Sequence, residues 1–184
     1  MRLVLASASP RRRELLTLAG FVFEVKAADI DETRRACEAP VEYVRRLAME
    51  KAQAVAKLNP DAVVLGADTT VVLDGEVLNK PVDLVDAERM LRRLSGRTHQ
   101  VHTGVAVVSG DVCEAHVETT DVSFREIGED ELAVYLSSGD AMDKAGAYGI
   151  QGHAARWIPR IVGDYFNVVG LPVSAVVKLL STVI

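Results

Sequence analysis

Short apolar runs and amphipathic stretches alternate along this chain, and their rhythms predict its elements. Leu3-Val4-Leu5-Ala6 reads as a short buried strand. Ser9 then offers an N-cap and Pro10 the first helical position, with Leu15, Leu16 and Leu18 as an apolar face and Gly20 as a stop. Phe21 to Lys26 alternates like a second strand. From Pro40 onward Val44, Leu47, Ala48, Ala52, Val55 and Leu58 recur at helical spacing. Ala62 to Leu65 reads as a strand that ends in GADTT, after which TVVL-DG-EVL forms a hairpin around Asp74-Gly75. A helix over Val85 to Leu94 stops at Ser95-Gly96.

Two alternating segments, Thr98 to Val108 and Val112 to Phe124, flank a turn at Ser109-Gly110-Asp111 and predict a long antiparallel hairpin. Glu129 to Leu136 is helical, with Gly139 as C-cap. DKAGAYGIQG, Asp143 to Gly152, carries three glycines in ten residues and predicts an irregular loop with close backbone approach. Trp157 to Val162 reads as a strand, and Pro172 opens a last amphipathic helix through Leu180. Helices interleave with strands and hairpins interrupt them, so the expected fold is α/β with a mixed sheet.

Length and composition bound this picture. The chain has 184 residues, enough for one sizeable core, and is expected to form a single domain over 1–184. No apolar stretch approaches the length of a membrane helix, and the first apolar run is too short for a signal-peptide core, so the expected compartment is the cytoplasm. Cys37 and Cys113 have neither metal-ligand spacing nor a disulfide context. Net charge is −5, from 21 basic and 26 acidic residues, which argues against a nucleic-acid partner. A small polyphosphate needs only a local cluster of cations, and Arg11, Arg12 and Arg13 form one.

That cluster is the anomaly of the sequence. The first turn of a helix exposes free N–H groups and the positive end of the macrodipole, so cations there are disfavoured. An anion at that place reverses the mismatch, because a helix N-terminus with arginine forks is a phosphate cradle. Plain solvation of the three arginines is the alternative. Other functional groups also gather where predicted elements end: Ser7, Asp31 and Glu32, Lys51, Asp68 and Thr69 of GADT, Lys80 of NKP, and Asp143, Lys144 and Gln151 around the glycine-rich loop. Cations for phosphates, carboxylates for a metal and a loop for closure suit phosphoryl chemistry. Each residue alone has an ordinary role open to it: Asp68 as a strand terminator, Lys51 as a solvated helix face, Lys80 as a turn residue. There is no GxSxG, GxGxxG, Walker A or HExxH motif. His99, His102, His116 and His153 are expected to be surface or hydrogen-bonded structural residues.

Taken together, LASASPRRRELL, DIDET, RLAMEKA, VLGADTTVVLDGEVLNKP, LSGRTHQVHTGVAV, DKAGAYGIQG and GDYFNVVGLP resemble the Maf family of nucleoside triphosphate pyrophosphatases, in family order and over nearly the whole chain. The resemblance implies an elongated mixed sheet flanked by helices, similar to the inosine triphosphate pyrophosphatases, with two lobes around a substrate cleft. It implies hydrolysis of a nucleoside triphosphate to monophosphate and pyrophosphate, with Mg2+ or Mn2+ as cofactor. It assigns Ser7, Arg11, Arg12, Lys51 and Lys80 to the phosphates, Glu32 to the metal, and Asp68 either to proton acceptance or to holding the metal beside Glu32, two roles the sequence does not separate. Arg11, Thr69 and Gln151 map onto positions tied to substrate choice, while Arg13 stays solvated. The glycine-rich loop looks like that of the dTTP and UTP subgroup rather than the 7-methyl-GTP one. A homodimer is common in the family. A purine pyrophosphatase and a nucleotide sensor without turnover are the competing functions.

Overall fold

The computed structural model describes residues 2–183; the two outermost positions of the expected domain lie outside the described residues. The strands are β1 (Leu3–Leu5), β2 (Glu24–Val25), β3 (Val63–Leu73), β4 (Glu76–Leu78), β5 (Thr98–Ser109), β6 (Val112–Ser123) and β7 (Arg160–Val162). The helices are α1 (Pro10–Leu18), α2 (Pro40–Ala56), α3 (Leu84–Leu94), α4 (Glu129–Ser137), α5 (Tyr165–Val169) and α6 (Val173–Val183). Among the described residues the strands form one seven-stranded mixed sheet in the order β2-β1-β3-β5-β6-β7, with β4 also paired to β3. β1 runs parallel to β2 and β3, and the remaining pairings are antiparallel. The expected α/β mixed sheet is therefore the fold.

Three expected elements differ. GADTT does not end a strand: β3 runs unbroken from Val63 to Leu73. Nearly every residue of β3 is buried, so the alternation that marks a half-exposed strand is missing there. The second strand shrinks to Glu24–Val25, because Phe21 and Phe23 pack onto the core beside α1 instead of joining the ladder. Trp157 closes a 3₁₀ turn, His153–Trp157, and only Arg160–Val162 pairs as strand. α5 is a further helix, capped by Asp164, whose side chain accepts from the backbone N–H groups of Phe166 and Asn167.

The sheet creates a gap along one edge of β3. β5 covers the other edge from Val64 to Val72. On the gapped edge β1 pairs only through Leu65, and β4 begins only at Val71. Two lobes meet at that gap. On one side the buried core joins Leu3, Leu5, Leu15, Leu16, Leu65 and Leu180. On the other it joins Val71, Leu78, Leu91, Phe124, Tyr135 and Trp157. Helix α2 lies unusually close to the sheet. A Cβ on Gly66 would sit 2.2 Å from the Ala48 carbonyl oxygen, and one on Gly104 would sit 2.3 Å from that of Val44. These two positions require glycine because the helix backbone occupies the space a side chain needs.

Candidate active site

A cleft of about 790 Å3 opens over the gap in the β3 edge, a size suited to a nucleotide-sized ligand. Its lining includes Ser7, Arg11, Arg12, Glu32, Lys51, Asp68, Thr69, Lys80 and Gln151. The residues that the family resemblance assigns to the site thus reach one cavity, whereas Asp31, also a candidate from the sequence, is exposed and does not line it.

Strand geometry sorts these residues. Side chains alternate across a strand, so Asp68 shares the face of Gly66, the face that α2 presses on. The close approach of α2 brings Lys51 to Asp68: the ammonium donates to Asp68 Oδ1 at 2.7 Å. The same ammonium lies 3.0 Å from Glu32 Oε1. Lys51 therefore pairs across the cleft floor with Asp68 and Glu32, not with Glu42 or Glu50 of its own helix. Burial pushes the Asp68 carboxyl above its ordinary pKa; Lys51 and Arg12 pull it back only in part, and Glu32 adds to the rise. A carboxylate so placed is a stronger proton acceptor than a solvated one.

Thr69 faces the other side of the sheet, toward α1 and α5. There the anomaly of the first helical turn resolves into three different arginines. Arg12 folds back into the gap. Its Nε donates to the Gly170 carbonyl at 2.9 Å, and Nη1 donates to the Ala67 carbonyl at 2.9 Å and the Ser7 hydroxyl at 3.2 Å. Nη2 donates to the Thr69 hydroxyl at 3.0 Å. A guanidinium has five N–H donors, so four are engaged by the protein and one is left for a ligand. Burial lowers the Arg12 pKa, opposed by the charge of Asp68. Arg11 instead reaches over the cleft to Asp143 of the glycine-rich loop, 2.9 Å from Nη1 to Oδ2. Arg13 is exposed, as expected.

The segment that carries Glu32 is held by groups that sequence reasoning missed. The Tyr43 hydroxyl donates to the Glu32 backbone carbonyl at 2.9 Å. Arg46 pairs with Glu38 at 2.6 Å and also donates to the Thr33 carbonyl at 3.1 Å. The Arg46 hydrogen bonds pull the Glu38 carboxyl down to about 2. A signal existed for Tyr43: it precedes Lys51 by eight residues, with Leu47 midway, so the three share one helix face. Lys80 and Gln151 stand exposed at the rim. His99 and His102 are buried and hydrogen-bonded to Tyr148 and Thr119, outside the ionic cluster.

No cluster of three or more His, Cys, Asp or Glu side chains is assembled among the described residues. Asp68 and Glu32 still offer two carboxylates within reach of a single ammonium. A hard divalent cation that takes its other ligands from phosphate and water needs no more than one or two carboxylates, so the residues present fit one. No helix among the described residues is long and apolar enough to cross a membrane.

Comparisons with known proteins identify the chain's relatives and its fold. The chain is 53% identical over 180 residues to the dTTP/UTP pyrophosphatase of Koribacter versatilis, covering 98% of this chain and 93% of that protein. It is 46% identical over 180 residues to the dTTP/UTP pyrophosphatase of Bacillus anthracis, covering 98% and 94%. A solved HAM1 protein from Coxiella burnetii shares the fold, with a TM-score of 0.53 and 14% identity over 99% of both chains. The family model described as Maf-like protein matches residues 2–183, and the chain belongs to that family.

Proposed function

We propose that this cleft hydrolyses dTTP and UTP to the nucleoside monophosphate and pyrophosphate. The observation that carries the proposal is the buried Asp68 carboxylate, held on Lys51 between Glu32 and Arg12 at the floor of a cation-lined cleft. The similar proteins named dTTP/UTP pyrophosphatase support the choice of nucleotide.

Water attacks the α-phosphorus, and the bond to the bridging oxygen of the pyrophosphate breaks. Asp68 accepts the proton of the attacking water, which its raised pKa favours. Lys51, Lys80 and Arg11 stabilise the charge that grows on the leaving pyrophosphate. Arg12 contributes its one remaining donor and, through Gly170 and Ala67, fixes the shape of the cleft edge. Ser7 orients Arg12. Asp68 and Glu32 would hold a divalent cation, Mg2+ or Mn2+, which would supply charge neutralisation for the phosphate chain. Thr69 and Gln151 face the nucleoside and select it. A single domain over 1–184 and a cytoplasmic setting, expected from length and from the short apolar runs, and a homodimer, implied by the family resemblance, complete this reading; none of these enters the chemistry.

Pyrophosphate release from dTTP, UTP, CTP, GTP, ITP and 7-methyl-GTP, with Mg2+, Mn2+ or EDTA, tests the proposal. The expected result is metal-dependent turnover of dTTP and UTP with monophosphate as co-product. Turnover confined to a purine keeps the reaction and discards the base preference. Nucleotide binding without turnover makes the protein a sensor and overturns the reaction.

A further inference from the structure

One carboxylate in the cleft is unused by the chemistry above. Asp143 lines the same cavity as Arg11 and Lys144, and both cations are bound to it. Arg11 holds it at two points: Nη1 to the carboxylate Oδ2 at 2.9 Å, and Nη2 to the backbone carbonyl at 3.3 Å. The Lys144 ammonium bonds the other carboxylate oxygen, Oδ1, and also the Asp140 carbonyl at 2.7 Å. The lysine stem is pressed against Gly149, where a Cβ would come within 2.8 Å of Lys144 Cε. Lys144 itself lines the cleft, and its side chain is 18% exposed.

A carboxylate that presents one oxygen to each of two cations has the bonding pattern of a phosphate. The site is a cleft that collects positive charge, so a fixed anion there opposes an incoming polyanion. It bridges α1 and the glycine-rich loop, residues 132 apart in sequence. Burial pushes the Asp143 carboxyl up, but the hydrogen bonds from Lys144 and Arg11 outweigh it and bring the pKa to about 2, so it is ionised throughout the neutral range. Its side chain is 61% exposed, against 12% for Asp68. Solvent-screened pairs of this kind are weak and give way to a more highly charged competitor.

We propose that Asp143 is an intramolecular competitor for the phosphate chain: it occupies Arg11 and Lys144 in the empty cleft, yields them to the substrate, and reclaims them as pyrophosphate leaves. The inference rests on the proposed reaction. It makes Asp143 a residue that trades affinity for release.

Calorimetric titration of inorganic pyrophosphate into the wild type, Asp143→Asn and Asp143→Ser tests the competition without turnover. Thermal melts identify a variant that fails to fold, and either neutral variant suffices. The expected result is tighter pyrophosphate binding, by about threefold to fivefold, with the gain shrinking at high salt. Equal or weaker binding by the folded variants overturns the competition and makes Asp143 a support for Arg11. A wild type that binds no pyrophosphate and releases none from dTTP overturns the competition and the proposed reaction together. A wild type that releases pyrophosphate from dTTP while the variants show no gain overturns the competition alone.

Discussion

The two walls of the cleft hold their charges in opposite ways. On the α2 and β3 wall, Lys51 and Asp68 keep only 10% and 12% of their side chains exposed and lie 2.7 Å apart. On the loop wall, Arg11 and Asp143 meet at a similar distance but remain open to water. A buried pair is costly to break, because removing one partner strands the other without solvent. A screened pair is cheap to exchange. The first wall is thus suited to groups whose positions must not change during the reaction, and the second to groups that must change partner when a ligand arrives. Substitutions of Lys51 and Asp68 are expected to strike turnover, and those of Asp143 and Gln151 to strike affinity and selectivity.

The sharpest way to break this contrast is Asp68→Asn. The amide retains an oxygen for the Lys51 ammonium, so the floor of the cleft keeps its shape, but the proton acceptor is gone. Turnover of dTTP is expected to fall about a hundredfold or more, while calorimetry still detects bound nucleotide. Retention of more than about a tenth of wild-type kcat, some 1.4 kcal/mol of barrier, assigns the proton to another group.

The loop wall has a deep anchor at Tyr148, and pH tests it. His99 Nε2 lies 2.7 Å from the Tyr148 hydroxyl in the middle of DKAGAYGIQG, and His99 Nδ1 is buried without a hydrogen-bond partner among the described residues. Burial lowers the His99 pKa from 6.5 to about 4. The unfolded chain therefore takes up this proton before the folded one does. Its contribution to stability is complete above about pH 6.5 and is lost as pH falls toward about 4, by about 3 kcal/mol in all. His102, also lowered by burial, acts in the same direction. Denaturant titrations across this range are expected to show the loss in the wild type. His99→Gln should be less stable at neutral pH but flatter with pH, by about one proton. Parallel curves for the two proteins would place the acid sensitivity elsewhere.

The contrast between the walls also marks what sequence alone made legible. Local signals survive folding: Ser9 and Pro10 start α1, Pro40 starts α2, and the Ser109 to Asp111 turn closes the β5–β6 hairpin. Asp164 and Gly170 bracket α5 with ordinary cap residues, yet five residues are too few to show a helical period. Gly66 looked like a break in β3, whereas its missing side chain admits α2. The ionic partners are a different matter. Nothing near Arg12 in sequence announces Ala67 and Gly170 as its acceptors, and nothing near Arg11 announces Asp143. The motifs located residues that line the cleft; the sheet edge decided which of three adjacent arginines is buried, which spans the cleft and which is solvated.

The smallest expected effect belongs to Gln151, exposed on the loop wall and lining the cleft. A glutamine amide both donates and accepts, so it can pair with the carbonyl and N–H edge of thymine or uracil. The same edge of guanine offers donors and acceptors in a different order, in a larger ring system. Gln151→Ala removes the reading group and opens space at once. One hydrogen bond at a solvated rim is worth about 0.5–1.5 kcal/mol, so the preference in kcat/KM for dTTP over GTP should fall about threefold to tenfold. The kcat for dTTP should change less than its KM, because Gln151 lies on the wall that exchanges partners rather than the one that holds Asp68. An unchanged preference would move base selection to Thr69 and the α5 side of the cleft. A loss of kcat without a change in KM would erase the division between the two walls.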